Sequence, residues 1–415
     1  MGSSRRLVSI ASLLLLGCGA APPAKSPEPP PREPLKVPTQ IISPTSEGSA
    51  RELLEKGDRA ILAQKWREAA DAFETLLAAE PKGPSDIAPG SDPGTWPKLV
   101  EDALFGLATA YEGLEEREKA KATYDRLLKR FPESPRTRSV LAREAQLAAY
   151  LEDWTALGQI GDAILARKDA DDVDRMLGLG ARGLAKVQTG DDIAASHDVQ
   201  NGLDLVDQLK YGMTGRLPVP AAQLRFALGE IRRVRSERIG FLPVTPDFLS
   251  KINARASGLM AAQSAYADAI RSVDPHWAAM SGTRIGEMYR ALHKDLISIP
   301  PQNAKTDKDR QLFFGMMHMR YRVLLEKGIE MLRRTLTISE AGQDNSSWIK
   351  RAEKAKSEME LALEEEKAQI KASPFSEAEL GKALDVMQKK HDKSAEKSGD
   401  KGPEKSDDKG EPKKP

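Results

Sequence analysis

At 415 residues the chain is long enough for two or three domains or for one extended repeat array. Hydrophobic residues make up 40% and charged residues 30%, while aromatics stay at 5%, the composition of a helical protein with a packed core. A formal net charge of +1, from 63 basic and 62 acidic side chains, excludes the basic field of a nucleic-acid binder, and a single cysteine excludes an internal disulfide.

Residues 1–17 read as a signal segment. Arg5 and Arg6 form a short basic region, and Leu7–Leu16 is an apolar run. That run is too short to span a bilayer, which takes roughly 20 apolar residues. It ends in Leu15-Leu16-Gly17-Cys18-Gly19, which resembles the lipobox of bacterial lipoproteins. The resemblance implies cleavage before Cys18 and acylation of its thiol, and two or three acyl chains anchor stably where one does so only marginally. Gly19 in place of Asp implies, by the same resemblance, delivery to the outer membrane. Residues 18–49 carry prolines from Pro22 to Pro44 and read as a disordered, extended linker near polyproline II, with a reach of roughly 90 Å at ~3 Å per residue.

From 50 to 210 the pattern is helix after helix. Gly57, Ala60, Ala69, Phe73 and Pro81 recur 51 positions on as Ala108, Tyr111, Ala120, Tyr124 and Pro132. Small side chains at these positions let two helices cross closely, the aromatic fills the gap to the next helix, and proline stops the second helix. The spacing resembles the tetratricopeptide repeat, whose period of roughly 34 residues leaves about 17 inserted. Lys82–Lys98, with Pro84, Gly90, Pro93, Gly94 and Pro97, supplies the insertion. Ser139–Arg167 reads as a third hairpin and Val173–Leu209 as a fourth.

Tyr211–Pro220 breaks the pattern and marks a boundary. Residues 221–372 read as a second helical repeat region. Thr245-Pro246-Asp247 and Asp274-Pro275 have the form of helix starts with proline in the first turn. Helices near Asp309–Thr337 and Ser346–Lys371 close the array. Residues 373–415 form a charged tail, low in complexity and disordered from 389, where Gly399, Pro403 and Gly410 interrupt any helix.

Signatures of chemistry are scarce. His197, His276, His293, His318 and His391 show no metal-ligand spacing on one helix face. Asp169, Asp171, Asp172 and Asp174 lack the glycine and ligand order of a calcium loop and suit a helix N-terminus. Glu364-Glu365-Glu366 reads as a solvated face. Arg225, Arg232, Arg233, Arg235 and Arg238, interleaved with Glu230 and Glu237, read as an ordinary charged face, with anionic lipid or wall polymer as the alternative. Met316, Met317 and Met319 beside Phe313 and Phe314 read as core, with an adaptable groove as the alternative.

These readings give an all-α fold, a right-handed tetratricopeptide-type solenoid of helical hairpins between a disordered linker and a disordered tail. The resemblance implies a non-catalytic protein–protein scaffold, with no cofactor or metal and no nucleic acid. It further implies a lipid anchor at the periplasmic face of a bacterial outer membrane and service to an envelope complex such as barrel assembly, pilus or secretion machinery, or gliding. In tetratricopeptide arrays the first helix of each hairpin lines a concave groove that captures partner proteins. By resemblance the groove residues here are Leu54, Asp58 and Ile61 in the first unit and Phe105, Thr109 and Glu112 in the second. Two alternatives are a peptidoglycan-associated lipoprotein and an enzyme with carboxylates in the second half.

Overall fold

The computed structural model describes residues 47–82, 94–211, 213, 218–271, 274–302, 304–341 and 347–386. The expected signal segment, Cys18, most of the linker and the tail beyond 386 lie outside the described residues, as does most of the insertion. Among the described residues every regular element is helical.

Four hairpins come first: α1 (Glu47–Leu62) with α2 (Trp66–Ala78), α3 (Thr95–Gly113) with α4 (Arg117–Arg130), α5 (Thr137–Tyr150) with α6 (Trp154–Leu165), and α7 (Asp172–Gln188) with α8 (Asp192–Gln208). One turn builds all four. Gln64, Glu115, Glu152 and Gly190 each take positive φ, from 56° to 100°. In the first, Gln64 N–H donates to the Ile61 carbonyl and Lys65 N–H to that of Ala60, which satisfies the last carbonyls of α1 in a Schellman motif. The same pair of bonds recurs at Glu115–Glu116, Glu152–Asp153 and Gly190–Asp191, and again at Lys210–Tyr211 after α8. The residue after the left-handed one starts the next helix. Asp153 and Asp191 cap it by accepting from Ala156 and Ala194 N–H at 3.1 and 2.9 Å.

The small and aromatic repeat positions are interior: Ala60, Ala69, Phe73, Ala108, Tyr111, Ala120 and Tyr124 are all buried, whereas Pro81, half-buried, and Pro132, exposed, lie past the helix ends. Gly57 and Gly106 both lie against the Phe73 ring so closely that a Cβ on either would come within 2.5 Å of it. One aromatic therefore sets the distance between its own hairpin and the next helix.

Five further helices follow: α9 (Val219–Glu237), α10 (Phe248–Ile270), α11 (Pro275–Ile297), α12 (Asp307–Ala341) and α13 (Ser347–Ala372). A short α14 covers 377–386. Close approaches fix antiparallel registers: Gly229 against Tyr266 and Gly258 against Ser236 for α9 and α10, Gly282 against Thr335 and Gly286 against Leu332 for α11 and α12.

One core cluster joins α1 to α5, and a second runs from α5 to α13. Helix α5 belongs to both, through Val140 and Leu147 on one side and Leu141, Ala145 and Ala148 on the other. The break in the repeat pattern at 211–220 is not a break in the core, because Leu224 and Phe226 of α9 pack into the cluster begun by α5–α8. The C-terminal helices return to the first half as well. Trp348 is buried and donates its indole N–H to the Tyr150 carbonyl at 3.2 Å, Arg351 meets Glu152 at 3.0 Å, and Gln146 donates to Asp274 at 2.8 Å.

The two expected proline starts part company. Asp274 caps α11 by accepting from His276 and Trp277 N–H, with Pro275 in the first turn. Asp247 precedes α10, but its carboxylate accepts from the Thr245 hydroxyl, and Pro246 lies before the helix.

Candidate functional site

The face of α1 turned toward α3 presents Leu54, Asp58 and Ile61 at helical spacing, and α3 answers with Asp102, Phe105, Gly106 and Thr109. With Leu62 and Arg136 they line a concavity of about 370 Å³. Phe73 behind Gly57 and Gly106 holds its two walls. The lining is apolar with a few charges. Leu62 is 85% exposed, and Leu54, Ile61 and Phe105 are partly open.

The electrostatics are uneven. Arg136 donates to Asp102 at 2.8 Å and lies over the Phe105 ring at 4.6 Å, and Lys98 reaches Asp102 at 3.2 Å. Burial raises the Asp58 carboxyl above its usual range, Asp102 adds to that, and Arg136 only opposes it in part. Thr109 donates to the Phe105 carbonyl at 3.0 Å within α3.

Five of the six residues mapped from the repeat resemblance therefore share one concavity. Glu112 does not. Its carboxylate accepts from Tyr124 and, at 3.1 Å, from Arg143, and it borders a second, smaller hollow with Arg117, Tyr150 and His276. There Arg117 lies over the Tyr150 ring at 4.0 Å and Tyr150 stacks on His276 at 4.1 Å. Burial and the charge of Arg117 hold His276 well below the usual imidazole range. Of the residues missing from the sequence-based set, Asp102 and Gly106 follow from the helical phase of Phe105. Arg136 arrives from the segment before α5 and has no signal in local spacing.

Other charged motifs are absorbed by the packing. Asp171 and Asp174 form a capping box at α7 and both take Arg138, so the acidic cluster is a helix start. Of the arginine stretch, Arg233 pairs with Glu230 and Glu237, Arg235 and Arg238 pair with Asp192, and Arg232 donates to the Ala261 carbonyl. Met316 and Met317 are buried, Met316 against Ile370 and Leu380, which makes them core.

Two buried clusters lie between helices. Glu230, fully buried, takes Arg284 at 3.1 Å, Arg233 at 2.8 Å and the Tyr266 hydroxyl. Burial works to raise its carboxyl, and the two guanidiniums overcome that and hold it at about 2. Glu366 corrects the reading of 364–366 as a solvated face. It is buried between His293, 3.2 Å away from α11, and His318, 2.6 Å away on α12. Burial again works upward, and the imidazoles bring the carboxyl down to about 2. Glu364 and Glu365 stay exposed. Among the described residues no group of three His, Cys, Asp or Glu side chains is placed to hold a metal, and no helix is long and apolar enough to cross a membrane.

Among solved structures, a tetratricopeptide repeat protein from Parabacteroides merdae ATCC 43184 is similar at 14% identity and a TM-score of 0.38, over 74% of this chain and 99% of that one. No curated protein matches. Residues 102–134, which hold most of α3, all of α4 and the second aligned set of repeat positions, match the family model of the tetratricopeptide repeat.

Proposed function

We propose that the protein is a non-catalytic scaffold that seats a segment of a partner protein in the α1/α3 concavity, and that a lipid on Cys18 carries it at the periplasmic face of a bacterial outer membrane within an envelope complex. The observation that carries the binding part is the concavity itself, formed by the first helices of two hairpins and lined by open apolar side chains. The titratable groups of the second half support a scaffold over an enzyme, because Glu230, Arg284, Tyr266 and Glu366 are paired inside helix packing rather than gathered in a cleft. The arginine stretch lends nothing to a wall-binding reading, since four of its five members already hold partners within the fold. The anchor rests on the Leu15–Gly19 pattern alone.

The test is purification from gently solubilised envelopes of intact protein, Cys18→Ser and Phe105→Glu, with the bound proteins identified by mass spectrometry. A defined set of envelope proteins is expected with the intact chain, reduced without the lipid and lost with Phe105→Glu. Equal recovery with all three forms removes both the anchor and the concavity. Retention on purified sacculi with no protein partner replaces the scaffold by wall binding.

A further inference from the structure

The charges that line the concavity are unevenly satisfied. Its lining holds two carboxylates, Asp58 and Asp102, and one cation, Arg136. Asp102 already lies between Lys98 and Arg136, and Arg136 is further engaged by the Phe105 ring. Asp58 is different. Charges act on it only at a distance, and no hydrogen bond or ion pair holds its carboxylate among the described residues. It stands on an exposed helix face between Leu54 and Ile61, one turn from each.

We propose, resting on the partner-binding reading above, that the α1/α3 concavity selects a peptide segment carrying Lys or Arg beside an apolar side chain, with the cation on Asp58 and the apolar group on Leu54, Ile61 and Phe105. Covering the concavity with a purely apolar segment strips water from an uncompensated carboxylate, which is costly. An acidic segment meets two carboxylates against one guanidinium, which already pairs with Asp102. A cation removes the penalty and adds attraction across a partly dry interface, so charge complementarity chooses the occupant. The raised carboxyl of Asp58 is the same imbalance seen from the proton's side: the site already favours adding positive charge.

The experiment is selection of a random dodecapeptide phage library on the immobilised full-length protein. Selected peptides are then measured by fluorescence anisotropy against the intact chain, Asp58→Asn and Leu62→Ser. Both substitutions fall at exposed positions, and circular dichroism melts confirm that the variants fold. Expected are peptides enriched in Lys or Arg next to Leu, Ile, Phe or Met. Their affinity should fall about three- to tenfold in Asp58→Asn, with a shallower salt dependence than for the intact chain. Peptides that are acidic or uncharged, lose affinity in Leu62→Ser and are indifferent to Asp58→Asn overturn the cation preference and leave the concavity as a binding site. Peptides indifferent to both substitutions, or no selected peptide at all, overturn the preference and the reading beneath it together.

Discussion

Phe73 shows how a single side chain is fixed by two helices. Its ring lies against Gly57 and Gly106, each too close to accept a Cβ without a shift. Gly106→Ala is expected to force the ring or the α3 backbone aside at a cost of about 1–3 kcal/mol, read as a lower urea midpoint with unchanged slope. The repeat spacing marked Gly57 and Phe73 as a crossing and its filler, and so half of this contact was legible. The place of Gly106 on α3 follows from helical phase, but its contact with Phe73 was not legible, because Phe73 belongs to the preceding unit. Glu230 is a sharper case. In sequence it reads as a charge interleaved with arginines, and in the fold it is fully buried against one of them, Arg233, and against Arg284 of α11. Glu230→Ala removes the fully buried carboxylate that Arg284 and Arg233 share, leaving them Glu287 and Glu237, and is expected to cost about 3 kcal/mol in chemical denaturation.

At the scale of elements, the hairpin turn repeats more faithfully than the sequence that forms it. Gln64, Glu115 and Glu152 adopt the left-handed conformation that Gly190 adopts without a Cβ penalty. Glycine would have announced the first three of these turns, and its absence left those boundaries to be read from the repeat and apolar spacing. Gln64→Gly is expected to raise stability by about 0.5–1 kcal/mol, measured by urea unfolding. The capping box at α7 was visible as an acid cluster, whereas its link to Arg138 was not, since that residue comes from the preceding hairpin. Asp171→Ala removes the cap and one partner of Arg138, and a loss of about 1–2 kcal/mol is expected in the same measurement.

Across the whole molecule, the second half returns to α5 through Trp348 and Asp274 and to the turn after it through Arg351, and α11, α12 and α13 meet at His293, His318 and Glu366. This junction gives a pH dependence whose sign follows from the carboxyl. An unfolded glutamate titrates near 4.5, and in the fold Glu366 is held at about 2. Its contribution to stability is therefore complete above the unfolded value and is lost as pH falls toward the folded one. Between pH 4.5 and 3 the unfolding free energy of the intact chain should drop more steeply than that of Glu366→Gln; parallel profiles would show that the imidazoles do not hold this carboxylate.

Helical class and the spacing of the first two hairpins follow from the chain alone, and five concavity residues follow from the resemblance of that spacing to the tetratricopeptide repeat. They depend on short-range geometry, the 3.6-residue turn and the close crossing that small side chains permit. The partners of Glu230 and Glu366, the isolation of Glu112 from the other mapped residues, and the continuity of the core past 211–220 required three dimensions. Each depends on which distant helices meet, and sequence spacing carries no record of contacts between residues 31 to 199 positions apart.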